Sequence, residues 1–590
     1  MKPPSHDIIR PVPAGGPHSL RAIIGADLLA AVIVTVMLIP QSLAYAMLAG
    51  LPPEIGLYAS ILPLLAYAAF GSSKTLAVGP VAVISLMTAS AVAPVVAAGL
   101  ADAVTAAAAL AGLSGIILLA MGLLRLGALA NFLSRPVISG FITASGLLIA
   151  AGQLRHILGV DAGGANLPAI AMGLAGQIHA INPATLVLGS AVLAFLYLAR
   201  CCMKPALMRL GLPAWLADAL ARAAPVMAIA ATIIAAGRLD LAARGVALVG
   251  RIPAGLPMLD LALPDPALIA ALLPAALLIS IVGFVESVSV AQTLAARRRE
   301  RIVPDRELLG LGAANIVAAI SSAYPVTGGF ARSVVNFDAG ARSRAAGVYT
   351  AIGIALATLF LTPWLTNLPQ ATLAATIILA VLSLVDLPAI LRTLRYSRSD
   401  FAAMLATILV TLLWGVEPGI SAGVLLSLLL HLWRTSRPHS AVVGQVPGSE
   451  HYRNVERHQV LTDPGVLSLR VDESLYFANA RFLEDRIAAL VAERPDLRHV
   501  VLMCPAVNEI DASALESLQE INRRLRDIGI RFHLSEVKGP VMDRLARSDF
   551  LDQLTGRVHL SHHEAICALR TKRTGPEASA KAQQPAAAKS

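Results

Sequence analysis

The sequence predicts an α-helical polytopic membrane protein, with fourteen transmembrane segments arranged as a 7+7 inverted repeat, followed by a small α/β domain. Three observations predict it. The 590 residues are 56% hydrophobic and only 14% charged, with a mean hydropathy of +0.70, whereas soluble proteins carry about 25% charged residues. Charge is also split: residues 445–590 hold 20 Lys and Arg against 20 Asp and Glu, while residues 1–444 hold 27 against 17, so the whole net charge of +10 lies in the hydrophobic part. Finally, residues 22–434 divide at Pro, Gly and Arg clusters into fourteen apolar stretches, measured against the roughly 20 residues a spanning helix needs. These features exclude a soluble enzyme. Basic residues beside apolar segments report membrane orientation, so a pI of about 9.7 is no sign of a nucleic-acid partner.

In chain order the spans fall at 22–48, 54–70, 79–97, 102–124, 136–158, 181–200, 223–237, 266–296, 306–322, 328–340, 345–363, 370–385, 399–415 and 417–433. The third and tenth are too short or too broken by Gly and Pro to cross alone. Orientation tests the count, because cytoplasmic loops collect Lys and Arg. With both termini cytoplasmic, 22 of the 27 basic residues fall on the inner side, four (Arg155, Arg238, Arg244 and Arg251) on the outer side, and Arg332 within a span. A wrong count would scramble that asymmetry. Asp27, Glu54, Asp386 and Glu417 sit near span ends and are expected to be solvated, and Asp338 reads as a helix-end residue. The polar, Pro-containing residues 1–21 form a cytoplasmic segment, and no cleaved signal is expected.

Beyond the spans, 435–460 reads as a linker, 461–573 as the α/β domain and 574–590 as a disordered tail rich in Ala, Lys and Gln. Val466–Val471 alternates like a strand, His499–Met503 reads as a buried strand, and Ala514–Ile528 has helical periodicity ending at Gly529. Ile530–Leu534 alternates again. His562, His563 and Glu564 lack metal-ligand spacing and read as surface residues, so no metal site is expected. Four cysteines, Cys201, Cys202, Cys504 and Cys567, are too few for a disulfide framework.

Seven helices per half force the second half to lie upside down relative to the first, the plan of many secondary transporters. Gly79-Pro80-Val81-Ala82 opens a short apolar helix in the first half, and Gly328-Gly329-Phe330-Ala331 opens another in the second. Such paired interruptions point to a binding site, where each half-helix aims free backbone N–H groups and a positive dipole end at the bilayer midplane, an arrangement that favours an anion. The competing reading is that Gly and Pro only permit close helix packing.

These stretches carry a resemblance. Pro40-Gln41-Ser42-Leu43-Ala44-Tyr45, Gly56-Leu57-Tyr58-Ala59-Ser60, Val78 to Met87 and Tyr324 to Ser333 resemble the SulP family of sulfate permeases, and the C-terminal part resembles the STAS domain that ends such transporters. The resemblance implies a core domain moving against a gate domain, with the anion held between the third and tenth helices. It implies Gln41 and Tyr45 lining the pocket from the first helix, Val81 at the start of the third, and Phe330, Ala331 and Arg332 opening the tenth. Many animal members have Ser where this chain has Ala331, so contact there falls to the backbone N–H. A homodimer, a bacterial inner-membrane location and a cytoplasmic partner for the STAS domain are implied as well.

Arg332 is the one basic residue placed near the midplane, where an unpaired charge costs from a few to over ten kcal/mol (roughly). Its partner is either a bound anion or Glu286 in the eighth helix. A structural ion pair is one reading. The other makes Glu286 the coupling residue, protonated as the anion enters, with sodium as the competing coupling ion; no cofactor is expected. In the α/β domain, Ser513 occupies a turn where related bacterial anti-sigma-factor antagonists carry a phosphorylated serine; with Glu516 it also reads as a capping box. The expected function is import of a small inorganic oxyanion, sulfate first, by proton symport. Bicarbonate, dicarboxylates and a non-transporting scaffold are the alternatives; no P-loop, zinc motif or nucleophile elbow supports an enzyme.

Overall fold

The computed structural model describes residues 20–571, apart from 129–133, 214–216, 218–219, 222, 251–252, 254, 258 and 260–264. Most of the N-terminal segment 1–21 and the tail 574–590 therefore lie outside the described residues, as do Arg222 and Arg251. The chain forms two units, Met1–Ser427 and Leu428–Ser590.

In the first unit every expected span is helical over most of its length. α1 (Leu20–Leu48) is followed by α2 (Pro53–Tyr58) and α3 (Leu62–Phe70). The second span is thus two helices, because Pro63 starts a new first turn. A two-residue strand β1 (Val78–Gly79) leads into α4 (Ala82–Ala97), then come α5 (Ala103–Leu123), α6 (Arg135–Leu158), α7 (Leu167–Gly176), α8 (Pro183–Leu198), α9 (Lys204–Arg209) and α10 (Ala224–Arg238). The second half runs α11 (Pro266–Arg298), α12 (Pro304–Ile320), β2 (Thr327–Gly328), α13 (Phe330–Asp338), α14 (Ala345–Phe360), α15 (Thr362–Leu365), α16 (Gln370–Leu382), α17 (Leu387–Tyr396), α18 (Arg398–Trp414) and α19 (Val416–Ser436). Among the described residues eight helices are long and apolar enough to cross a membrane. The short helices α7 and α17 lie between the expected spans. Asn166 and Asp386 cap them by accepting from Ala169 N and Ala389 N, as such residues do at helix starts.

Exposed Leu28, Leu29, Val32 and Leu425 would be costly against water; on spanning helices they are the lipid-facing surface. Inside, small residues bring helices together. A Cβ on Gly115 would lie 2.7 Å from the Ile316 amide nitrogen, and one on Gly312 would lie 2.9 Å from the Leu119 amide nitrogen, so α5 and α12 pack backbone to backbone. Asp27, expected to be solvated, is buried: it accepts from Arg342 N at 2.6 Å, Ser343 N at 3.1 Å and Ser343 Oγ at 2.5 Å. Those bonds offset its desolvation.

The second unit contains a six-stranded mixed sheet in the order β4-β3-β5-β6-β7-β8. Its strands are β3 (Ser440–Gln445), β4 (Tyr452–Asn454), β5 (Val466–Val471), β6 (His499–Met503), β7 (Arg531–Ser535) and β8 (Val558–His559). β5 to β8 are parallel, and β3 and β4 extend the sheet antiparallel on one side. The stretch 435–460, read as a linker, therefore supplies two strands. Helices α20 (Ala480–Ala492), α21 (Ala512–Asp527), α22 (Gly539–Leu545), α23 (Phe550–Gln553) and α24 (His562–Thr571) complete the unit. α21 ends ahead of Gly529, whose φ of +77° explains the glycine there.

Two readings in this unit are corrected. His562 is fully buried rather than on the surface: its Nδ1 pairs with Ser535 Oγ at 2.9 Å and its Nε2 with Ser468 Oγ at 3.0 Å. The cap of α21 is Asp511, not Ser513. Asp511 Oδ1 accepts from Ala514 N at 2.8 Å, while Ser513 stands exposed in the first turn.

Candidate functional site

The two interrupted segments meet. β1 pairs antiparallel with β2, Val78 opposite Gly328 and Gly79 opposite Thr327. Each strand runs into a helix, α4 after Val81 and α13 after Gly329, and neither start has a side-chain cap. The amides of Ala82, Val83 and Ile84, and those of Phe330, Ala331 and Arg332, therefore have no partner within their own helices.

Side chains from neighbouring helices fix this crossing. Asn315 on α12 brackets Val326, its Oδ1 accepting from Val326 N and its Nδ2 donating to Val326 O, both at 2.9 Å. The Gly328 amide donates to Ser287 Oγ at 2.8 Å, and Thr327 Oγ1 donates to Gly283 O at 2.7 Å. With those roles taken, the 2.7 Å contact between the two hydroxyls runs from Ser287 to Thr327. On the other arm, Ser333 Oγ accepts from Ala77 N at 2.9 Å and Asn336 Nδ2 donates to Thr75 O at 3.1 Å. Every hydroxyl and amide in this frame has a backbone to hold.

Arg332 is 3% exposed. Its Nη2 donates to Thr327 O at 3.3 Å, and its Nη1 has no hydrogen-bond partner among the described residues. The guanidinium fits because two glycines make room: a Cβ on Gly79 would stand 2.7 Å from Nη1, and one on Gly329 would stand 2.7 Å from Nε. Gly79 also has φ +154°, which other residues rarely adopt.

Of the first-half residues, Tyr45 lies within electrostatic reach of Arg332. Tyr45 is buried on α1, and Gln41, one turn earlier, is half-buried. Val81 is the buried N-cap of α4, while Phe330, 48% exposed, and the exposed Ala331 open α13. Glu286 and the phenols of Tyr45 and Tyr324 lie within electrostatic reach of Arg332, yet no ion pair joins Arg332 to Glu286 among the described residues. The structural-pair reading thus fails. Glu286 is half-buried beside apolar Val83, Phe141, Val282 and Ile420, with no hydrogen bond among the described residues.

Two residues escaped sequence reasoning. Tyr324, fully buried, places its hydroxyl 3.2 Å from Ser85 Oγ on α4. Glu307 is fully buried and accepts from Tyr67 Oη at 2.7 Å, Ser72 Oγ at 2.6 Å, and the Ser72 and Ser73 amides at 2.9 Å, anchoring the loop ahead of β1. An acidic residue in a first helical turn is ordinary, and only the meeting of α12 with that loop gives Glu307 its role.

A helical membrane protein whose two half-helices open on one buried arginine, followed by a small domain with a mixed sheet, defines the class of membrane anion transporters rather than enzymes. Residues 24–407 match the sulfate permease family and residues 457–565 match the STAS domain, and the chain belongs to that family. It is 37% identical over 546 residues to the chloroplastic sulfate transporter 4.1 of Arabidopsis thaliana, covering 89% of this chain and 77% of that protein. It is 34% identical over 539 residues to a probable sulfate transporter of Mycobacterium tuberculosis, covering 90% and 93%. The structure of SLC26A9 shares the fold at a TM-score of 0.85 and 21% identity, over 94% of this chain and 91% of that one. The transmembrane domain of the cyanobacterial bicarbonate transporter BicA aligns at 0.58 and 20%, over 70% and 98%.

Proposed function

We propose that the chain imports a small inorganic oxyanion, sulfate first, across a bacterial inner membrane by proton symport, with a core domain moving against a gate domain. Both termini lie in the cytoplasm, two copies pair as a homodimer, and the STAS domain is open to a cytoplasmic partner. The observation that carries this reading is the Arg332 Nη1, buried without a partner between two uncapped helix starts. A lone charge in such a place is expensive, and a bound oxyanion supplies both the missing acceptor and the counter-charge. The amides of Ala82 to Ile84 and of Phe330 to Arg332 complete the seat, with Gln41 and Tyr45 lining it from α1. The relatives that carry sulfate transporter in their names point to the same anion.

Uptake against an inside-negative potential costs about 2.3 kcal/mol per charge per 100 mV, so a divalent anion needs cations to travel with it. Glu286, set among apolar side chains on the helix that also supplies Ser287 to the crossing, is the group to carry a proton. In proteoliposomes, an inward proton gradient is expected to drive accumulation of labelled sulfate, and Glu286→Gln to leave uptake indifferent to that gradient in a folded protein. Dependence on sodium would transfer the coupling to that ion. Competition by bicarbonate or a dicarboxylate stronger than by sulfate would change the substrate. No uptake of any anion would leave a scaffold acting through its STAS domain.

A further inference from the structure

A second polar cavity lies far along the chain from Arg332. α6 ends in Arg155 and His156 before Gly159, and α8 starts beside it at Pro183 with Asn182 as its cap. Between these ends is a cavity of about 380 Å³, lined among others by Arg155, His156, Asp161, Thr185 and Gln370. Arg155 also lines a neighbouring cavity of about 350 Å³, whose wall includes Leu86, Ala89, Ser90 and Ala93 on one face of α4. That face starts one turn beyond Ala82, about 6 Å along the helix that opens on Arg332.

The bonding of these residues is incomplete. Arg155 Nε donates to His156 Nε2 at 3.1 Å, which leaves His156 neutral and fixes the plane of the guanidinium. The two terminal amino groups of Arg155 have no hydrogen-bond partner among the described residues, and no ion pair joins Arg155 to Asp161. Thr185 is 2% exposed, and its Oγ1 has no hydrogen-bond partner among the described residues although its amide donates to Asn182 Oδ1 at 3.0 Å. Basic residues often stand in a last helical turn to complement the dipole, but this guanidinium bonds none of the last carbonyls of α6. A fork of donors without a protein partner among the described residues lines the same cavity as a buried, unpartnered hydroxyl at the first turn of another helix, which is the chemistry of an oxyanion seat.

We propose that Arg155 and Thr185 form a second oxyanion seat at the outer mouth of the transport path, where the incoming anion rests before it reaches Arg332. This rests on the orientation and the import proposed above, and it gives the path an entry point. Asp161 opposes the anion at the same cavity and sets how tightly it is held.

The test is the concentration dependence of sulfate uptake by the full chain in proteoliposomes. Arg155→Gln is expected to raise KM about tenfold at low ionic strength, as loss of a capturing charge does, with kcat within twofold and an unchanged melting temperature. Arg155→Lys is expected to recover most of the loss, Thr185→Val to raise KM about threefold, the worth of one neutral hydrogen bond, and Asp161→Asn to lower KM. An unchanged KM in Arg155→Gln, or a fall in kcat alone, would overturn the proposal. In vesicles of a phosphate-free glycolipid the Arg155 effect is expected to persist; its disappearance would assign the seat to a lipid headgroup and overturn the proposal as well. Should the wild-type protein transport no oxyanion, equilibrium binding of labelled sulfate to solubilised protein decides separately. Two sites per chain falling to one in Arg155→Gln support the seat, and one site untouched by that substitution excludes it.

Discussion

Two buried histidines of the STAS domain and the buried arginine of the membrane unit are treated in opposite ways. In the STAS domain, His533 accepts from Arg557 N at Nδ1 and shares Nε2 with His499 Nδ1 at 3.2 Å, and His562 has both nitrogens bonded to serines. In the membrane unit, Arg332 is as deeply buried, yet Nη1 has nothing to bond. The saturated histidines hold a sheet together, whereas the unsaturated arginine has capacity left for something that comes and goes. The sharpest way to break this contrast is Arg332→Gln. Loss of a charged hydrogen-bonding group costs about 3 kcal/mol, so sulfate uptake is expected to fall at least about 100-fold. Because the substitution removes an uncompensated buried charge, the melting temperature is expected to hold or rise. A variant that unfolds instead would make Arg332 a structural cation.

The next largest effect concerns the space Arg332 occupies. Gly79→Ala forces a residue into φ +154° and sets its Cβ 2.7 Å from Nη1. The backbone cost is about 1–3 kcal/mol, and the displaced guanidinium is expected to cut uptake roughly tenfold. Gly50→Ala, also at positive φ but with open space around it, is the control that should lose stability without losing uptake beyond what that loss explains.

Much of this was legible in the sequence, but unevenly. Spans follow from composition, because lipid enforces the apolar length of each helix. The crossing was signalled by Gly79-Pro80 and Gly328-Gly329, since backbone breaks need such residues. Its tethers were not, because Ala77 and Ser333 lie 256 positions apart and Ser85 and Tyr324 lie 239 apart. No local pattern marks a partner at that range. Asp27 and His562 were misjudged for the same reason: a polar residue near a helix end reads as solvated until distant donors or acceptors are brought to it. β3 and β4 were missed because they pair antiparallel beside a core whose parallel strands carry the clearer hydrophobic signal.

The saturated side of the comparison predicts a pH effect. Burial, aided by His499, His559, Arg531 and Arg557, holds the His533 pKa at about 3 against an ordinary 6.5. Between those values the unfolded chain binds a proton that the folded domain refuses, so stability is full above pH 6.5 and is lost as pH falls toward 3. The loss approaches on the order of 5 kcal/mol. Cys504, a buried free thiol that burial pushes up to about 12, reports opening in the full chain once the three exposed cysteines are replaced by Ser. The denaturant midpoint for its labelling is expected to fall from pH 7 to pH 5, and His533→Gln to reduce that slope, with His562, which burial holds at about 4, carrying the remainder. An equal slope in the variant would place the proton elsewhere.

The smallest expected effect separates two neighbours at the start of α21. Asp511 caps the helix through Ala514 N and also accepts from Phe477 N at 2.9 Å, so it ties two segments with one carboxylate. Asp511→Ala is expected to cost about 1–2 kcal/mol by the same Cys504 measurement. Ser513 is exposed and makes neither contact, so Ser513→Ala should cost under about 0.5 kcal/mol. An exposed hydroxyl in a first helical turn is also where an added phosphate meets the positive dipole end, and Ser513→Asp is accordingly expected to stabilise the domain by a few tenths of a kcal/mol. A loss on Ser513→Ala as large as that on Asp511→Ala would return the capping role to the serine and remove the room for its modification.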